Sequence, residues 1–98
     1  MGERQRNPLQ SSVTAYLNVW NMDCPDCVHI LHDGLIELYG MDKVDVFYKQ
    51  GIVVTIYDPD LVEANDVLDA IRTLGRRTAH FYGAEVIGYG SADQTRQM

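Results

Sequence analysis

The period of the hydrophobic positions changes several times along the chain. Val13, Ala15, Leu17 and Val19 alternate with Thr14, Tyr16, Asn18 and Trp20, which predicts a first strand with one buried face. Beyond Cys24-Pro25-Asp26-Cys27 the spacing lengthens to three and four residues. Val28, Leu31, Leu35 and Leu38 then share one helical stripe, with Gly40 as the stop and Gly34 as an interior glycine that close packing would require. Val44 to Tyr48 and Ile52 to Tyr57 are β-rich, and Lys49-Gln50-Gly51 between them suits a hairpin. Asp58-Pro59-Asp60 breaks the sheet. Ala64, Val67, Leu68, Ile71 and Leu74 trace a second helical stripe ending at Gly75. Thr78 to Tyr82 reads as a fourth strand, and Val86-Ile87 as a short additional one.

The resulting order, β-α-β-β-α-β, predicts an α+β, ferredoxin-like fold: a four-stranded antiparallel sheet with two helices on one face. Residues 1–12 are polar and aperiodic, as expected of a flexible N-terminal tail. The domain is expected over 13–82, with 83–98 as a C-terminal extension. A chain of 98 residues accommodates one core. Its apolar runs are too short to span a bilayer, and Met1 to Pro8 lacks the apolar stretch of a signal peptide, so the expectation is a soluble, cytoplasmic protein without membrane insertion.

Charge narrows the function. Fourteen acidic against eight basic residues give a net charge of −6, which argues against a nucleic-acid partner, because phosphate recognition uses clustered Lys and Arg. The two cysteines are too close in sequence to staple distant elements and point to metal or redox chemistry. Cys24 falls in the loop after the first strand and Cys27 in the first helical turn, where free amides and the helix dipole favour thiolate. Two soft thiolates suit Cu(I) and Zn(II), not Mg or Ca. No triad, phosphate-cradling glycine loop or usable carboxylate pair is present, so the chain reads as a carrier or sensor and not an enzyme.

From Val13 to Phe81 the sequence resembles the heavy-metal-associated domain family of copper metallochaperones, mercury-binding proteins and N-terminal modules of metal-pumping P-type ATPases. The resemblance rests on Met22-Asp23-Cys24-Pro25-Asp26-Cys27, Gly40-Met41, the hairpin from Val44 to Tyr57, Asp58-Pro59, Ala70-Ile71 and Gly75. It implies that Cys24 and Cys27 bind one heavy-metal ion and that Met22 anchors the loop in the core. Asn21 replaces the family's glycine and Met41 its valine. Arg76 replaces an aromatic residue, which the resemblance places near the metal as a possible source of positive charge. The partner implied is a metal-transporting P-type ATPase or another acceptor, the chain being a free-standing metallochaperone or a piece of a larger transporter. It reads as a monomer, with a metal-bridged dimer as the alternative.

For the ion, two thiolates satisfy near-linear Cu(I), whereas Zn(II) prefers about four ligands and accepts carboxylate oxygen. Asp23 adjoins Cys24 as a candidate third ligand. The Met-Asp-Cys-Pro-x-Cys form resembles that of zinc-, cadmium- and lead-exporting ATPases, which tips the expectation towards Zn(II) or Cd(II) over Cu(I). His29 and His32 are two and five residues past Cys27, off the sulfur-bearing side of the helix. His80, assigned to the fourth strand, is expected to lie far from the loop. The rival function is a thiol-disulfide oxidoreductase using Cys-Pro-Asp-Cys. That chemistry calls for a thioredoxin-like fold with a cis-proline facing the thiols, yet the only later proline is Pro59. A regulatory module docking a basic partner through its acidic surface is a third reading.

Overall fold

A computed structural model describes residues 12–91. The tail read at 1–12 therefore lies outside the described residues apart from Ser12, as do 92–98. The elements are β1 (Val13–Trp20), α1 (Asp26–Ile36), β2 (Met41–Phe47), β3 (Ile52–Tyr57), α2 (Ala64–Thr78) and β4 (Gly83–Ser91). They form one antiparallel sheet in the order β2-β3-β1-β4. This is the ferredoxin-like plan that the changes of period predicted.

The core lies between the sheet and the two helices. Ala15, Leu17 and Val19 of β1 and Val53, Thr55 and Tyr57 of β3 face inward, where Leu31, Leu35, Val67 and Ile71 of the helices cover them. Leu17, Leu31, Leu35, Val53, Val67 and Ile71 are fully buried. Complete burial of each such side chain stabilises the fold by roughly 1.5–3 kcal/mol. A Cβ on Gly34 would meet Leu74 Cδ1 at 2.5 Å, so this glycine lets α1 approach α2, as its position in the helical stripe suggested. Gly51 has φ +71°, the conformation required of the hairpin glycine.

Four boundaries differ from the sequence reading, the first being β2, which begins at Met41 and not at Val44 and ends at Phe47. α1 stops at Ile36, and Glu37 to Gly40 form tight turns in which Leu38 N donates to Leu35 O and Met41 N to Leu38 O. Gly40, at φ +98°, reverses the chain into β2 and does not itself cap the helix. α2 runs past Gly75 to Thr78 and ends at Ala79, a left-handed C-cap with φ +63°. Gly75 is there for contact: a Cβ on it would run into the backbone nitrogen of Tyr82. With that extra helical turn, the fourth strand is Gly83–Ser91 and not Thr78 to Tyr82. It pairs with β1 from Val13↔Ser91 to Trp20↔Gly83, with a bulge beside Tyr16 and Leu17. The segment read as an extension thus supplies the fourth strand.

Candidate metal centre

Three connections lie at the end of the sheet that bears the cysteines. The loop after β1 carries Asn21 to Pro25, the β2–β3 turn approaches through Gly51 O, which accepts from Val19 N at 2.8 Å, and residues 79–82 return from α2. Asn21 adopts φ +69°, within the tolerance of asparagine for the left-handed region. Its Nδ2 donates to Phe81 O at 3.0 Å, which ties the first loop to the third. Met22, 3% exposed, is packed into the core as the anchor of the loop.

Cys27 is fully buried in the first turn of α1, and Cys24 is half-buried before it. Their Cα atoms are 5.3 Å apart and their sulfurs are joined as a disulfide, the oxidised form of the pair. Cys27 N donates to Cys24 Sγ at 3.1 Å. The same amide also donates to Cys24 O at 3.0 Å, so it is shared between the turn and the sulfur, and at this helix start it would favour thiolate once the pair is reduced. Reduction takes two electrons and two protons, and metal binding then displaces two protons from the thiols.

The third group at the site is one that the sequence reading set aside. His80 Nε2 lies 3.9 Å from Cys24 Sγ, and Cys24, Cys27 and His80 have ligand atoms all within 4.8 Å of one another. The expectation that His80 is remote failed because it assigned His80 to β4. Once β4 begins at Gly83, opposite Trp20, the preceding residues must cross the end of the sheet that bears the cysteines. The signal lay in Ala84 and Val86, which point inward, with Glu85 between them exposed. His80 is half-buried and stacks on buried Tyr82, with ring centroids 5.4 Å apart and 13° between planes.

The remaining candidates are less central. Asp23 is exposed and stands outside the Cys-Cys-His group. Its charge reaches the site indirectly: burial first, and the Asp23 carboxylate second, raise the Tyr82 phenol above its ordinary pKa, with the Thr78 hydroxyl opposing. Arg76 is exposed and turns back along α2, its guanidinium donating to Thr73 Oγ1 at 3.2 Å. His32 is engaged with Asp33 at 3.1 Å on the exposed side of α1. Pro59 follows β3 at the opposite end of the sheet, where Tyr57 pairs with Val13. It is therefore remote from the sulfurs, and among the described residues there is no cis-proline facing the thiols of the kind that disulfide exchange would call for.

A ferredoxin-like sheet presenting a Cys-x-x-Cys pair at the start of its first helix defines a class of small metal-binding domains. No family model matches the chain, but individual relatives do. The copper chaperone CopZ of Staphylococcus saprophyticus is 34% identical over 62 residues, covering 63% of this chain and 91% of that protein. Human copper-transporting ATPase 2 is 25% identical over 75 residues, 76% of this chain but only 5% of the ATPase. The solved structure of the copper chaperone of Enterococcus hirae superposes with a TM-score of 0.64 at 32% identity, covering 74% of this chain and 98% of that one. The chain belongs to the heavy-metal-associated domain family. No described helix is long and apolar enough to cross a membrane.

Proposed function

We propose that this chain binds one heavy-metal ion through Cys24 and Cys27 and passes it by ligand exchange to a metal-transporting ATPase or another acceptor. The observation that carries the reading is the thiol pair at the α1 N-terminus, one sulfur fixed in the core and the other at the half-exposed rim. Such a pair offers a buried hold and an accessible point of attack by an incoming ligand. Its working form is the reduced one, which suits a cytoplasmic protein.

Cu(I) is the ion favoured by the named relatives, a copper chaperone and a copper-transporting ATPase. Zn(II) or Cd(II) is the second reading, favoured by Asp23 next to Cys24. Arg76 is retained only as a source of positive charge at long range. The test is metal titration of the reduced chain against a double Cys24→Ala, Cys27→Ala variant. One equivalent should bind tightly to the wild type and none to the variant, and tight stoichiometric binding by the variant would refute the assignment.

A further inference from the structure

We propose that His80 is a third ligand to the ion, so that the centre is a two-sulfur, one-imidazole site. The inference rests on the thiol-pair reading above and extends it. Its first support is distance. With metal–sulfur and metal–nitrogen bonds of about 2.3 and 2.0 Å, a trigonal centre separates sulfur from nitrogen by about 3.7 Å. Cys24 Sγ and His80 Nε2 are 3.9 Å apart before any ion draws them together. Opening the disulfide must move the sulfurs to about 4 Å from each other for the same geometry. Cys24, on the loop, can supply that motion while Cys27 stays seated in α1.

The second support is how the backbone holds the imidazole. Ala79 and Phe81, on either side of His80, both lie in the left-handed region, at φ +63° and +54°. Neither is glycine, and a bulky residue there is strained. The Phe81 side chain gains little in return, being 62% exposed. Two groups hold the strained turn in place. Phe81 N donates to Gly75 O at 3.0 Å, and Phe81 O accepts from Asn21 of the cysteine loop. The stack on Tyr82 fixes the ring plane and leaves Nε2 directed at Cys24. A turn strained on both sides of one histidine and tied across to the thiol loop is built to place that histidine.

Nitrogen donation from His80 adds no charge, so Cu(I) with two thiolates remains at −1, and the third bond raises affinity without the cost of a further anion. A removed ligand should cost at least as much as the groups behind ligands, whose loss weakens metal binding about 10–100-fold. The experiment loads the reduced full chain anaerobically with one equivalent of Cu(I) and records the extended X-ray absorption fine structure above the copper edge. In parallel, Cu(I) affinity is measured by competition with a chromophoric chelator. Wild type should show two sulfur scatterers and one imidazole. His80→Phe preserves an aromatic stack on Tyr82, and should lose the imidazole signature and about tenfold or more in affinity. His80→Gln should behave likewise if the larger ring disturbs folding. A wild-type spectrum of sulfur alone, or an imidazole signal and affinity unchanged in the variants, would overturn the third ligand while leaving the thiol pair intact. Failure of the wild type to bind Cu(I) stoichiometrically, or tight binding by the double cysteine variant, would instead overturn the site itself.

Discussion

Asp23 and Cys27 show how much a single side chain decides at this site. Two thiolates and Cu(I) sum to −1, so a carboxylate adds repulsion, whereas two thiolates and Zn(II) sum to zero and leave coordination positions that oxygen can fill. Asp23→Asn is therefore expected to weaken Zn(II) much more than Cu(I), as read by chelator competition at pH 7 under reductant. Equal losses, or none, would remove Asp23 from the coordination sphere. Cys27 has a second role because it is fully buried in the core. Cys27→Ala should lower the unfolding free energy of the reduced, metal-free chain by about 1 kcal/mol, since it deletes buried contacts, and Cys24→Ala by less. Denaturant melts of the two variants make the comparison. That the two cysteines meet at the start of the first helix was legible from their spacing together with the strand and helix that flank them, and the burial of Met22 from the family pattern. His80 was not, because its place depends on where a helix about four turns long stops, and Ala79 ends that helix in a conformation that sequence propensity does not assign to alanine.

Among the elements, the helical stripes and the first three strands were readable because each buries one face at its own period. β4 was harder to read. Its inward residues are small, Ala84 and Val86, its Ile87 lies at the bulge, and glycines interrupt it at 88 and 90. Pairing with β1 and not intrinsic propensity makes it a strand. A chain ending after Tyr82 should thus fail to fold, because β1 would lose its neighbour along the whole of one edge. Circular dichroism and thermal melting of that truncation would show it, and a cooperative melt would contradict the pairing. Gly75→Ala tests the contact between α2 and the returning chain. Helix propensity would gain about 1 kcal/mol. The clash with the Tyr82 backbone, which cannot rotate away, should outweigh it and give a net loss, with Cu(I) affinity falling as His80 is displaced.

For the molecule as a whole, two buried phenols set an upper limit in pH. Burial, with Tyr89 adding, raises Tyr57, and burial, with Asp23 adding, raises Tyr82, both from 10.0. A raised pKa means that the folded state holds its proton more tightly than the unfolded one, so the contribution is complete below about pH 10 and is lost as pH climbs through the folded values. Stability followed by denaturant titration should hold level towards pH 10 and decline above it. Tyr57→Phe should blunt the decline. The net charge of −6 gives a different dependence. Docking on a basic acceptor should slow as salt shortens the Debye length from about 10 Å at 0.1 M to about 3 Å at 1 M, and transfer rates indifferent to salt would rule out charge-guided encounter. The pairing of Val13 with Ser91 also has a consequence for biosynthesis. The central strand is made early and its outer partner last, so a chain still emerging from the ribosome holds its two thiols long before the turn at 79–82 is locked beside them. Nascent chains would pass through an interval of exposed, reduced cysteines with no finished cradle, and only release of the last strand would close it.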